Sequence, residues 1–254
     1  MKTAFYYFSP TGGTEKVGRA FVQAFCGDES EVTEVNLLKR DAVLGQDDCE
    51  VMVVAVPVFA GRVASLAAEK LKQVKAKGKK AVGLAVYGVR AYEDALVELT
   101  DILEDAGAQV VAAGAFIAQH SMLAAVGAGR PDEKDLAELK AFAEKVVAKM
   151  EAGDGTPVAV PGNRPYKDGM VVANTPISNE GCVACGACEK ICPTEAIAIV
   201  DGTVETELEK CMDCLACIAA CPLKVRTLKP AHQAGINERL GGLADAYPEN
   251  EMFL

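Results

Sequence analysis

The sequence predicts an α/β domain of the doubly wound kind, a five-stranded parallel sheet covered by helices, followed by a small α+β domain built around cysteines. Three observations predict it. Residues 1–150 alternate five apolar runs with amphipathic stretches, residues 151–178 break the alternation with glycine and proline, and residues 179–228 carry one cysteine pattern twice.

The expected strands are Lys2–Phe8, Glu31–Leu37, Glu50–Val56, Lys80–Tyr87 and Gln109–Ala118. The third reads Val51-Met52-Val53-Val54-Ala55-Val56, a continuous apolar run of the sort a strand shows when both its faces are covered. Helices are expected at Glu15–Phe25, Val63–Val74, Tyr92–Ala106 and Asp132–Met150. In the last, Leu136, Leu139, Phe142, Ala143, Val146 and Val147 recur at helical spacing, and Pro131-Asp132 opens it. Residues 151–178 read as a linker, yet Val158, Val160, Tyr166, Met170, Val171 and Val172 make it too apolar for a free tether, so it should pack along a surface. Residues 179–228 form the cysteine domain, with Ala196–Val204 expected as a hairpin turning at Asp201-Gly202. In the tail, residues 229–254, Ile236, Leu240 and Leu243 fall at i, i+4 and i+7, the pattern of a short docked helix.

The loop after the first strand reads Phe8-Ser9-Pro10-Thr11-Gly12-Gly13-Thr14-Glu15. Hydroxyls at Ser9, Thr11 and Thr14 with glycines at Gly12 and Gly13 suit a phosphate, held at the free N–H groups and positive dipole end of the following helix. No lysine closes a nucleoside-triphosphate loop there, and no G-x-G-x-x-G follows a strand. The loop by itself is equally a glycine-containing turn with a capping threonine.

The cysteine pattern is C-x2-C-x2-C-x3-C-P, at Cys182-Cys185-Cys188-Cys192-Pro193 and again at Cys211-Cys214-Cys217-Cys221-Pro222. Two residues between ligands let a short loop wrap three corners of a cubane, and each proline stops the chain from continuing as helix. A pair of zinc sites needs only C-x2-C pairs and explains neither the third cysteine of each triplet nor the Cys-Pro steps. Cys26 and Cys49 lie outside the pattern and read as ordinary thiols.

This run resembles that of bacterial ferredoxins, in which three close cysteines hold one cluster and the fourth reaches the other. The resemblance implies two [4Fe–4S] clusters, one on Cys182, Cys185, Cys188 and Cys221, the other on Cys192, Cys211, Cys214 and Cys217. The first loop is similar to the S/T-x-T-G-x-T phosphate loop of flavodoxins, which implies FMN and the strand order 2-1-3-4-5, with FMN at the switch point between the first and third strands. Two further loops then stand where flavodoxins hold the ring: Pro57-Val58-Phe59-Ala60-Gly61-Arg62 and Tyr87-Gly88-Val89-Arg90-Ala91-Tyr92. With no tryptophan in the chain, Phe59 and Tyr87 are the ring-facing candidates. Gly61 stands where a flavodoxin peptide turns toward flavin N5. Arg62 and Arg90 are surface charges, counter-charges to reduced flavin, or groups that meet the acidic ferredoxin domain, and His120 reads as a polar loop residue. The whole chain is similar to flavodoxin–ferredoxin fusion proteins of anaerobes.

Composition sets further bounds. The formal net charge of −10, divided as −3 over residues 1–150 and −7 over the rest, argues against nucleic acid or an anionic membrane as partner. No secretory signal or membrane-length apolar run is visible, so ten cysteines are expected to serve metal or redox chemistry in a cytoplasm with little oxygen. The expected function is electron transfer between FMN and two clusters, with redox proteins as donor and acceptor and oligomerisation left open. Two other readings stand beside it: an FMN-dependent reductase of a quinone, nitro compound or flavin, and an apo flavodoxin-like domain that docks a ferredoxin module.

Overall fold

The computed structural model describes residues 1–27, 31–45 and 48–254. The first part runs β1 (Thr3–Tyr7), α1 (Gly13–Cys26), β2 (Val32–Asn36), β3 (Val51–Phe59), β4 (Arg62–Val63), α2 (Ser65–Leu71), β5 (Lys80–Tyr87), α3 (Ala95–Asp105), β6 (Gln109–Ile117) and α4 (Glu133–Glu151). The second part follows as β7 (Ile177–Ser178), α5 (Ala187–Ile191), β8 (Ile197–Val200), β9 (Thr203–Thr206), α6 (Ala216–Ala219), β10 (Arg226–Thr227), α7 (Pro230–Leu240) and β11 (Glu251–Phe253).

The parallel strands lie in the order β2-β1-β3-β5-β6, the predicted 2-1-3-4-5 when the five are counted by themselves. Strand alternation sorts β1 and β3 onto two cores. Ala4, Tyr6, Phe8, Met52, Val54 and Val56 face α2 and α3, where Leu71, Leu99 and Ile102 meet them. Phe5, Tyr7, Val51, Val53 and Ala55 face α1 and α4, where Phe21, Phe25 and Phe142 stack. Each fully buried phenylalanine contributes roughly 1.5–3 kcal/mol. α4 begins on a capping box, in which the Asp132 side chain takes the backbone N–H of Asp135 and the Asp135 side chain returns to that of Asp132.

Three features depart from the sequence expectation. β3 runs to Phe59 and turns back through Ala60 and Gly61, both at positive φ, into the short strand β4. The tail forms more than a helix: β11 adds antiparallel to the edge of β6, where Asn250 accepts from Ile117 N–H at 2.9 Å and donates to Asp135 at 2.7 Å and Glu138 at 2.6 Å. Apolar burial joins the two parts, since Leu215, Leu228, Ile236 and Leu240 share one cluster with Tyr87, Leu96 and Ile117, and Arg40 rather than Arg62 or Arg90 supplies the charge contact, to Glu195 and to Lys190 C=O. Residues 152–176 contain neither helix nor strand. They form a strap whose residues 162–167 lie along one face of α3.

The strap is held by three acids at i, i+4 and i+7. Asp94 accepts from the backbone N–H of Asn163 at 2.8 Å, from its side-chain amide at 3.0 Å and from the N–H of Lys167 at 2.8 Å. Glu98 binds the Arg62 guanidinium through two 2.7 Å bonds, and that guanidinium also reaches Lys167 C=O at 2.6 Å. Asp101 binds Arg164 and the Tyr166 hydroxyl. The Asp94 and Asp101 carboxyls are accordingly held below the usual carboxylate range, the first by N–H groups of the strap and the second by Arg164.

Candidate functional site

The repeated cysteine pattern folds twice into the same local shape. Ala184 and Asp213, Gly186 and Leu215, and Glu195 and Lys224 occupy corresponding places in the two runs, and all six have positive φ. Left-handed residues curl the loop so that successive N–H groups point inward, and five of these six positions accept the strain without glycine. Ala196 N–H donates to Cys192 Sγ at 3.3 Å and Asp213 N–H to Cys211 Sγ at 3.5 Å.

Two separate pockets result. One is lined by Cys182, Cys185, Cys188 and Cys221, with Val183, Leu223 and Arg226 around them. The other is lined by Cys192, Cys211, Cys214 and Cys217, with Met212, Asp213 and Leu215. Each triplet is thus joined by the fourth cysteine of the other run. Burial raises the thiols of Cys188 and Cys211 and pushes Cys214 up to about 12. At Cys221 burial acts in the same sense, but the N–H groups of Arg226, Val225, Leu223 and Lys224 outweigh it and hold the thiol below its ordinary value. Four sulfurs around an apolar pocket, with amides directed at them, fit an anionic iron–sulfur cubane.

A larger cavity of about 590 Å³ opens at the C-terminal ends of β1, β3 and β5. That is the size of a cofactor pocket, at the switch point of an open parallel sheet. Thr11, Gly13 and Thr14 of the first loop line it, with Pro57, Phe59 and Ala60 of the second and Tyr87, Gly88 and Arg90 of the third. At the first loop, Ser9 Oγ accepts from Glu15 N–H at 2.9 Å, while Gly12 turns at φ 91° with open space where a Cβ would sit. The N–H groups of Gly13 and Thr14 in the first turn of α1 have no intrahelical acceptor, an arrangement that fits a phosphate.

Not every expected residue reaches that wall. Ser9 caps α1, and Gly12 lines an adjoining cavity of about 390 Å³ with Thr11, Gly13, Lys16 and Arg130. Gly61 faces elsewhere: its carbonyl accepts from Asp94 N–H at 3.0 Å, and the Glu93 side chain fills the space a Cβ would need. The cause is the β3–β4 hairpin, which makes Gly61 a turn residue. Arg62 is likewise committed to Glu98 and to the Tyr166 ring, 4.8 Å from its centroid. Tyr87 is a wall residue whose ring packs edge-on against Tyr92 at 5.4 Å.

The sequence reading missed the other half of the wall. Met170, Val171, Ala173 and Asn174 of the strap, Asp213 and Cys214 of the cysteine domain, and His232, Ile236, Arg239 and Leu240 of α7 complete the cavity. His120 also lines it, lying over Gly88 so closely that any Cβ there would overlap the ring. Its Nδ1 accepts from Met122 N–H at 3.2 Å, which places the proton of the neutral ring on Nε2. Burial, with Arg90 nearby, lowers its pKa and keeps it neutral. Asp213 and His232 stand 4.0 Å apart, and among the described residues Asp213 Oδ1 and His232 Nδ1 have no hydrogen-bond partner. One signal was available: the chain has two histidines, and both fall at this cavity.

The strand order is that of the flavodoxin-like fold, and the two pockets of the second part each gather four of the eight repeated cysteines. Comparison with known proteins agrees for the second part: residues 175–222 match the 4Fe-4S dicluster domain. The chain therefore joins a flavodoxin-like domain to a 4Fe–4S dicluster domain. Among curated relatives, a subunit of an ion-translocating oxidoreductase complex of Methanosarcina acetivorans is 45% identical over 49 residues, 19% of this chain and 19% of its own. A component of the polysulfide reductase of Wolinella succinogenes is 36% identical over 80 residues, 30% of this chain and 41% of its own. The match thus spans less than half the length of either relative. A flavodoxin from the domain Archaea aligns in structure over 59% of this chain and 99% of its own, at 18% identity and a TM-score of 0.45. No helix among the described residues is long and apolar enough to cross a membrane.

Proposed function

We propose that the chain is an electron-transfer protein that holds FMN and two [4Fe–4S] clusters and passes electrons between them within one molecule. One observation carries this reading. A single cavity is walled on one side by the three loops of the flavodoxin-like sheet and on the other by Cys214, which also lines a cysteine pocket.

FMN exchanges one or two electrons, and each cluster exchanges one. Thr11, Gly13 and Thr14 would hold the phosphate at the first turn of α1; Pro57, Phe59, Ala60, Tyr87, Gly88 and Arg90 would frame the ring. Ser9 and Gly12 act from behind, by fixing the helix start and the loop curvature, and Gly61 shapes the turn below the ring loop. Cys182, Cys185, Cys188 and Cys221 would hold one cluster, and Cys192, Cys211, Cys214 and Cys217 the other. Fusion makes the exchange intramolecular, so its rate is set by the fold and not by encounter. The expected partners are redox proteins, and the expected setting is a cytoplasm with little oxygen. Flash reduction of the flavin in protein prepared without oxygen tests the reading. Flavin and cluster absorbance relaxing together at a rate independent of protein concentration supports it, and a rate proportional to concentration refutes it. Turnover of a quinone or nitro compound at the flavin would favour the reductase reading instead.

A further inference from the structure

The two cysteine pockets are unlike in their surroundings. Cys214 lines both its own pocket and the large cavity, whereas none of Cys182, Cys185, Cys188 and Cys221 lines that cavity. The partition between cavity and inner pocket is formed by Phe59, Met212 and Cys214, which are partly buried and pack against one hydrophobic cluster, and by the buried Asp213, which lines both spaces. At the outer pocket Cys182 and Cys185 are exposed, and beside them Val183 is 69% and Leu223 49% exposed. A residue whose sulfur is bonded to iron is the part of the protein nearest a cluster's electrons. Cys214 therefore brings one site to the cavity wall, and Cys182 and Cys185 bring the other to solvent.

Resting on the two-cofactor reading above, we propose that the two cluster sites work in a fixed series. The Cys192/Cys211/Cys214/Cys217 site exchanges electrons with the flavin cavity across Cys214. The Cys182/Cys185/Cys188/Cys221 site is the outer port, where Val183 and Leu223 meet a one-electron redox protein with a basic face. The charge of the partner follows from the domain itself, since residues 179–228 carry eight acidic and four basic side chains. Each passage moves one electron and makes or breaks no bond. Emptying a fully reduced flavin takes two passages to two molecules of the partner, and its protons leave to solvent.

The test uses the full chain loaded with flavin and clusters, reduced photochemically without oxygen and mixed with oxidised cytochrome c, a basic one-electron acceptor. Electron paramagnetic resonance and iron analysis report which sites are loaded. In the wild type, flavin reoxidation should accompany cytochrome reduction and slow as salt is added. Glu180→Lys, at an exposed acid close to Val183 that does not line the cysteine pocket, should slow cytochrome reduction at least fivefold at low salt while flash-induced flavin–cluster exchange stays within twofold. Cys214→Ser should leave the outer cluster signal and its fast oxidation by cytochrome, but slow flavin reoxidation at least tenfold. This holds whether or not the variant keeps an inner cluster. Either variant failing its expectation overturns the order while leaving the two-cofactor reading intact; a wild-type chain that retains no flavin overturns both.

Discussion

Replacing Asp94 should release the strap from α3 and open one side of the cavity. Asp94 is 2% exposed and its carboxylate receives two backbone N–H groups and one side-chain amide, all from residues 163–167. A hydrogen bond to a charged group is worth about 1.5–3 kcal/mol net, and a buried donor left alone costs about 1–3 kcal/mol. The three share one acceptor, so Asp94→Ala should cost roughly 2–4 kcal/mol rather than their sum. Asp94→Asn keeps one carbonyl oxygen but turns an NH₂ toward a strap N–H, so it should fall between. Urea unfolding reads the stability, and trypsin reads the local opening at Arg164 and Lys167. A cost of 2 kcal/mol corresponds to cleavage about thirtyfold faster when opening precedes cutting. Because strap N–H groups hold the Asp94 carboxyl below its ordinary value, its contribution is present above about pH 4 and fades as pH falls below it. A variant with an unchanged urea midpoint and tryptic cleavage within threefold of wild type would refute the strap's anchoring role.

Three further outcomes follow from the same geometry. Asn250→Asp should destabilise by more than Asn250→Ala, each by at least about 2 kcal/mol in urea unfolding, because the aspartate sets a third carboxylate against Asp135 and Glu138. Since burial and Arg90 lower the His120 pKa, stability should be full above about pH 6.5 and fall as pH drops below it, and His120→Gln should flatten that slope. Stripping the metal with an iron chelator and oxidant should melt residues 179–228, read by circular dichroism and protease sensitivity, while the parallel sheet stays cooperative, because each cysteine pocket has little apolar core of its own.

The parts of the fold that were legible are those written in short-range patterns. β5 falls on its predicted bounds, and the five parallel strands take the predicted order. What escaped depends on contacts between segments far apart in sequence. Asp94, Glu98 and Asp101 fall within the expected helix Tyr92–Ala106, yet each anchors the strap or the arginine beside it. Asn250 gives no strand signal; β11 forms because its side chain satisfies Ile117 N–H and two acids of α4. Gly61 misled because one glycine can serve a flavin or a hairpin, and only the pairing of Phe59 with Arg62 distinguishes them. The second half of the cavity could not be read at all, since Cys214, His232 and Arg239 reach it only once the cysteine domain has docked on the sheet.

The most direct test of the central claim is the cofactor content of the chain purified without oxygen, measured as iron, acid-labile sulfide and FMN per polypeptide. Two cubanes and one flavin predict about eight iron, about eight sulfide and about one FMN, with flavin bands beside the broad cluster absorption. Full iron and sulfide with no flavin, unchanged after incubation with FMN, would contradict the account and leave a dicluster carrier on an empty flavodoxin-like domain.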